Sequence, residues 1–237
     1  MAISDDLDSD VSTIIGTQWD KRRGTTVPST DTVALAGGAV ELDATFLYAD
    51  LANSSKMARH FDRRIVAKIL KSFLATATRL IRFRGGTVLS FDGDRVLGVF
   101  VGDSKNTSAV RCALNINYTV TQLIRKKFEN QYDVVRNADF HIDHAVGVDT
   151  GTVLIVRAGA RGANDLISIG RAPNLAAKFS DLREGNYSTF ISADVYRMMN
   201  EEVKLNLQKT ENMWEARSWN FLNESISMYR SSWWRKP

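Results

Sequence analysis

Apolar residues along this chain fall into runs and stripes. Ala44-Thr45-Phe46-Leu47-Tyr48-Ala49-Asp50 is a near-continuous apolar run ending in an acid. It reads as a buried central strand with its carboxylate at the C-terminal tip. From Arg64 to Arg82, Ile65, Ile69, Phe73, Ala77 and Leu80 recur at helical spacing, and Gly85-Gly86 supplies the stop signal; the pattern predicts a helix with one buried face. Thr87–Phe91 and Arg95–Phe100 are strand-like runs, and Asp92-Gly93-Asp94 between them signals a hairpin. Ser108–Phe128 predicts a second long helix, with Val110, Leu114, Val120 and Ile124 inward. Ala145–Val148 and Thr152–Val156 suggest another strand pair, turning at Asp149-Thr150-Gly151. A helix over Asn174–Ser180, a short strand over Thr189–Ile191, a helix over Ala193–Asn200 and one or two edge strands within Trp214–Tyr229 complete the pattern.

Strand, helix, strand, strand, helix, strand is the order of an α+β, ferredoxin-like (split βαβ) fold, a single sheet with helices on one face. Residues 1–40 read as an N-terminal extension to a domain at 41–237. Within the extension, Asp10–Trp19 suggests a short helix, Lys21-Arg22-Arg23-Gly24 a basic turn, and Ala36–Ala39 a flexible joint.

Composition narrows the function classes. The 237 residues are 44% hydrophobic and 24% charged, enough for a packed core. A balance of 31 basic to 27 acidic residues, net +4, is too mild to argue for nucleic-acid binding, although it suits a polyanionic substrate. Cys112 is the single cysteine, so no intrachain disulfide forms and a reducing compartment fits. The acidic start MAISDDLDSD lacks a signal-peptide pattern, and no apolar stretch approaches the roughly 20 residues that span a bilayer. The expectation is a cytoplasmic protein without membrane contact.

Two acids carry the candidate chemistry. Asp50 ends an apolar strand and Asp94 lies on a hairpin tip. In a split βαβ sheet these positions are neighbours, and paired carboxylates at one rim suit hard divalent cations that also grip phosphates. Taken alone, the pair is explained better by a helix cap at Asp50 and a turn residue at Asp94. Leu51-Ala52-Asn53-Ser54-Ser55 leads into a helix; such residues present N–H groups and hydroxyls to phosphate, and are also ordinary caps.

Three blocks, taken together, resemble a known family. Tyr48-Ala49-Asp50-Leu51, Asp92–Phe100, and the stretch from Gly147-Val148-Asp149-Thr150-Gly151 to Ile169-Gly170-Arg171-Ala172-Pro173-Asn174-Leu175-Ala176-Ala177-Lys178 are similar in order and spacing to the class III adenylate and guanylate cyclases. The resemblance covers roughly residues 44–192. It implies two divalent metal ions, Mn²⁺ or Mg²⁺, on Asp50 and Asp94, with the Leu51 carbonyl as a further ligand. It implies that Ala52, Asn53, Ser54 and Ser55 hold the β- and γ-phosphates, that Asn174 orients the ribose, and that Lys178 stands where the family has a transition-state arginine. Asn174 and Lys178 would come from the partner in a homodimer with shared sites.

The base-recognition positions depart from the purine enzymes. Ser90 stands where adenylate cyclases have lysine, and Ile167 where they have Asp or Thr; the guanylate pair is absent too. Ser90 gives one hydrogen bond and Ile167 none, which leaves purine edges poorly paired. Asn53-Ser54-Ser55 in place of Gly-Phe-Thr, and Arg171-Ala172-Pro173, look like the pyrimidine cyclases of bacterial Pycsar anti-phage systems. That resemblance implies UTP as substrate, cyclic UMP as product, and a separate effector that reads it. Cytidylate, adenylate or guanylate cyclase activity, and a degenerate nucleotide-binding domain, are the alternatives. His60, His141 and His144 show no metal spacing and read as surface or satisfied core residues. Arg157 and Arg161 fit a solvated loop as well as a phosphate contact. Trp233-Trp234 reads as a segment packing on its own domain.

Overall fold

The computed structural model describes residues 2–160 and 162–237. The apolar run at Ala44 is the centre of a longer strand. In chain order the elements are α1 (Ile3–Gly16), β1 (Asp20–Gly24), β2 (Gly38–Ala52), α2 (Ser54–His60), α3 (Arg63–Phe83), β3 (Thr87–Asp92), β4 (Arg95–Phe100), α4 (Lys105–Tyr118), α5 (Arg125–Gln131), α6 (Asp133–Arg136), β5 (Asp143–Ala160), β6 (Ala163–Ile169), α7 (Arg171–Ser180), β7 (Thr189–Ser192), α8 (Ala193–Met198), β8 (Glu215–Phe221) and β9 (Glu224–Ser231). They form two compact units, one of residues up to 43 with 152–170, the other of 44–151 with 171–237. No helix among the described residues is long and apolar enough to cross a membrane.

In the larger unit the strands run in the order β3-β4-β2-β5-β7-β9-β8. Alternation along each strand decides what each face buries. Leu47, Ala49 and Leu51 of β2, Val146 and Val148 of β5, and Ile191 of β7 meet Ile69, Phe73 and Ala77 of α3 and Val110 and Leu114 of α4 in the main core. Ala145, Phe190 and Met228 point the other way and pack on Leu175 and Phe179 of α7. The expectation of helices on one face therefore holds for α3 and α4 but not for α7. The apolar stripe of α7 has its own sheet face, and Gly147 makes the close approach possible. A Cβ at Gly147 would lie 2.0 Å from the Ala176 carbonyl oxygen and 2.6 Å from Ser180 N.

Two further expectations change. Asp149-Thr150-Gly151 is not a turn: β5 continues through it for 18 residues. Thr150 is held there, its Oγ1 lying 3.0 Å from Thr45 Oγ1 and donating to the Ala44 carbonyl at 3.2 Å. The Thr45 hydroxyl also donates to Asn106 Oδ1 at 2.9 Å, so three buried polar side chains satisfy one another. The helix expected at Ser108–Phe128 is α4 and α5 joined by a π-helical segment, Thr119–Ile124. Behind it, Asn115 and Asn117 are buried and take the last residues of the chain. Asn115 Nδ2 donates to the Arg235 carbonyl at 2.9 Å, and Asn117 Nδ2 to those of Ser232 (3.2 Å) and Trp233 (2.8 Å). The tail thus packs on its own unit, as expected.

In the smaller unit, Lys21-Arg22-Arg23-Gly24 is not a turn but lies in β1, parallel to the start of β2. Lys21 Nζ lies 2.8 Å from Glu41 Oε2 across the pair. Side-chain repulsion among neighbouring cations is relieved because a strand points them alternately apart. Helix α1 begins earlier than expected and buries none of its residues. The second half of β5 pairs with β6 in a hairpin, Leu154 opposite Ile169 and Ala160 opposite Ala163. Gly162, at φ +87°, supplies the reversal that an L side chain resists.

Candidate active site

Strand pairing brings the two acids together. Asp50 stands opposite Arg95 in the antiparallel β2–β4 ladder. One step further, Leu51 N donates to the Asp94 carbonyl at 3.4 Å, which ties the hairpin tip to the end of β2. Both carboxylates lie at this rim. Asp50 is buried, 5% exposed, whereas Asp94 is half-buried.

Asp50 is surrounded by cations. Arg183 Nη2 donates to its Oδ2 at 2.6 Å, and Arg95 Nε lies 3.2 Å from its Oδ1. Burial raises the Asp50 pKa; the two arginines pull it down and Asp94 adds to the rise, and the net direction is upward. Arg95 in turn reaches Asp181 Oδ1 at 2.6 Å, and Lys178 Nζ lies 3.9 Å from Asp181 Oδ2. Alternating charges therefore connect Asp50 to Lys178 within one chain.

The other expected site residues fall as follows. Ala52 is buried, Asn53 takes the left-handed conformation (φ +63°), and Ser54 opens α2. Asn53 Nδ2 donates to the His141 carbonyl at 3.4 Å, so its side chain does not cap the helix. The N–H groups of Ser54 and Ser55, in the first turn of α2, lack intrahelical partners, whereas Met57 N already donates to the Asn53 carbonyl at 2.8 Å. Asn174 and Lys178, four residues apart, share the exposed side of α7, away from Leu175 and Phe179. Ser90 faces Leu97, and Leu97 faces Tyr48, so the three form one row across β3, β4 and β2. Tyr48 lies two residues before Asp50 and shares its sheet face. Ile167 lies on β6 opposite Val156 and is 46% exposed.

Sequence reasoning did not single out Arg183 or Asp181. Arg183 meets a carboxylate 133 residues away, and nothing local in Asp181-Leu182-Arg183-Glu184 announces it. Of the histidines, His60 contacts the Lys56 carbonyl and His141 contacts Glu129, as expected of surface residues. His144 corrects the expectation. Its ring is fully buried, neither nitrogen is hydrogen-bonded, and Asp143 Oδ1 stands 3.7 Å from Nδ1. Asp149 is likewise buried with neither carboxylate oxygen hydrogen-bonded, and Arg171 Nε forms a long ion pair with its Oδ2 at 3.8 Å. Arg157 donates to Asn164 at 2.6 Å; Arg161 lies outside the described residues. Cys112 is buried, and burial pushes its thiol pKa up.

Among the described residues no group of three or more His, Cys, Asp or Glu side chains forms a metal cage. Two rim carboxylates fit a different kind of site, one for small hard ions that keep waters and take phosphate oxygens as remaining ligands.

No family model matches the chain. The chain is 60% identical to the uridylate cyclase of Rhodovulum sp. (strain MB263) over 237 residues, all of this chain and 99% of that protein. It is 38% identical to the uridylate cyclase of Xanthomonas perforans over 99% of both. Among solved structures, the adenylyl cyclase CyaB from P. aeruginosa superposes with a TM-score of 0.66 at 17% identity, covering 81% of this chain and 95% of that one. The guanylyl cyclase Cya2 gives 0.65 at 18%, covering 83% and 95%. The fold likeness to these cyclases and the full-length identity to the two bacterial proteins agree with the rim geometry of β2 and the β3–β4 hairpin: this chain belongs to the uridylate cyclases, within the class III nucleotidyl cyclase family.

Proposed function

We propose that this protein converts UTP to 3′,5′-cyclic UMP and pyrophosphate, with Asp50 and Asp94 holding two divalent ions, Mn²⁺ or Mg²⁺. The observation that carries the reading is the meeting of these carboxylates at one rim, fixed by the Asp50–Arg95 register and the Leu51–Asp94 hydrogen bond. The family typically uses two such ions, and the Leu51 carbonyl is a further ligand in this reading. When bound, the ions lower the pKa of the ribose 3′-hydroxyl and neutralise charge on the leaving pyrophosphate.

The chain's own residues do the rest. N–H groups and hydroxyls of Ala52, Asn53, Ser54 and Ser55 receive the β- and γ-phosphates. Asn174 orients the ribose so that its 3′ oxygen stands in line with the α-phosphorus. Lys178 supplies positive charge to the pentavalent phosphate as a point charge, without an arginine's bidentate fork. Ser90 offers one hydroxyl at the family's base position, and the choice of UTP rests on the 60% identity to a uridylate cyclase over the whole chain. In this reading Asn174 and Lys178 act on the substrate of a second copy, residues 41–237 are the catalytic domain, and a separate effector in anti-phage defence reads the product.

Product identification from an equimolar mixture of ATP, GTP, CTP and UTP with Mn²⁺ tests the reading. Cyclic UMP is expected; a purine product, or no pyrophosphate, overturns it. Mixing Asp50→Ala with Asn174→Ala protein tests the shared site. Heterodimers should regain one working site, and inactive heterodimers would exclude sharing.

A further inference from the structure

Both oxygens of Asp50 face a guanidinium, but the two arginines are held differently. Arg95 is fixed by the β2–β4 ladder directly opposite Asp50, and a second carboxylate, Asp181, takes its Nη2 at 2.6 Å. Arg183 lies just beyond α7. Apart from Asp50, its guanidinium is held by two backbone carbonyls, Ser180 at 2.7 Å and Leu182 at 2.8 Å, both accepting from Nη1. The Arg183 side chain is 43% exposed, whereas that of Asp50 is 7% exposed. A buried carboxylate is thus paired with a cation that has an open route to solvent.

A divalent ion on Asp50 would place a second cation against the oxygen that Arg183 grips at 2.6 Å. Like charges at such range repel strongly in a half-buried setting. A triphosphate reverses the balance, because it brings several negative charges to the rim and a guanidinium recognises phosphate oxygens as a fork.

We propose that Arg183 is a positioning residue that opposes divalent metal at Asp50 in the free protein and turns onto the substrate's phosphates, so that metal and nucleotide bind cooperatively. The proposal rests on the reading of Asp50 as a metal ligand. It makes Arg183 the element through which each ligand raises the other's affinity, as linkage requires.

Mn²⁺ binding followed by electron paramagnetic resonance tests it on the full chain, with and without a non-cyclisable UTP analogue carrying an α,β-methylene bridge. Wild type, Arg183→Gln, Arg183→Lys and Asp50→Ala are compared, each checked for fold by circular dichroism. Arg183→Gln should bind Mn²⁺ about tenfold tighter than wild type without nucleotide, and the advantage should vanish with the analogue. The analogue itself should bind about tenfold more weakly to Arg183→Gln, with Arg183→Lys in between. Equal Mn²⁺ affinity of Arg183→Gln and wild type, with binding lost in Asp50→Ala, overturns the role of Arg183 and leaves the metal site standing. Unchanged Mn²⁺ binding in Asp50→Ala instead overturns the metal site on which the proposal rests.

Discussion

Substituting Gly147 by alanine should damage both stability and turnover, although residue 147 touches no substrate in the proposed mechanism. The added Cβ would lie 2.0 Å from Ala176 O, 2.6 Å from Ser180 N and 2.7 Å from Phe179 Cβ. Carbon–oxygen contacts in packed interiors stay above about 3 Å, so α7 must retreat from β5 by about 1 Å. Overpacking of this kind costs about 1–3 kcal/mol, and the upper end applies because the obstacles are backbone atoms rather than a side-chain tip. For a chain of this size that corresponds to a fall in Tm of about 5–10 °C. The same displacement carries Asn174 and Lys178, and a misplacement of about 1 Å lowers turnover on the order of 10²-fold. Urea melts and cyclic UMP production measure the two effects. Gly98→Ala is the control: the three atoms nearest its Cβ would be Ile81 side-chain carbons at 3.0–3.1 Å, a milder approach to a side chain rather than to backbone. That variant should lose less than about 1.5 kcal/mol. A Gly147→Ala protein within about 0.5 kcal/mol of wild type and fully active would refute the argument that α7 is seated against the glycine.

Thr45→Val removes the hydroxyl that donates to Asn106 and meets Thr150, leaving a buried acceptor unpaired. The loss should be about 1–3 kcal/mol, read as a lower urea midpoint at constant m-value. Burial holds the His144 pKa below its ordinary value, so the folded ring stays neutral where the unfolded chain takes up a proton. Its contribution to stability is therefore intact above about pH 6.5 and declines as pH falls below that value. Thermal melts from pH 8 to 5 should show His144→Phe losing less stability on acidification than wild type, and parallel profiles would count against this. Chelation with EDTA should abolish cyclic UMP formation and added Mn²⁺ restore it; turnover persisting in EDTA would contradict the two-ion reading. Asp94→Asn should lose turnover while keeping the wild-type circular dichroism spectrum, and near-normal product would remove Asp94 from the site.

The sequence displayed those parts of the molecule whose causes are local. The Ala44–Asp50 strand, the α3 stripe and the Asp92-Gly93-Asp94 reversal follow from hydrophobic period and turn chemistry over a few residues, and they bring Asp50 to Asp94. Where partners are distant, the reading failed. Asp149-Thr150-Gly151 has turn composition, but Thr150 is kept in a strand by Thr45 and the Ala44 carbonyl, more than a hundred residues earlier. Lys21–Gly24 looked like a basic turn because a solvent-exposed strand without apolar alternation has no pattern to show. The single apolar stripe of α7 predicts that one side is buried but not which sheet face buries it. Arg183 was invisible for the same reason as Thr150: its role is defined by Asp50, across the sheet.

The stitching of residues 232–235 onto α4 bears on synthesis of the protein. Asn115 and its acceptor in Arg235 are 120 residues apart, which at ribosomal speed is a lag of roughly 6–24 s. During that interval the Nδ2 groups of Asn115 and Asn117 lack their carbonyl acceptors on a surface meant to be interior, and β9, which pairs with β7, has yet to emerge. Asp50 and Asp94 are therefore synthesised well before the segment that stitches α4 to the end of β9. Sealing of this face of α4 thus waits for the segment at 232–235.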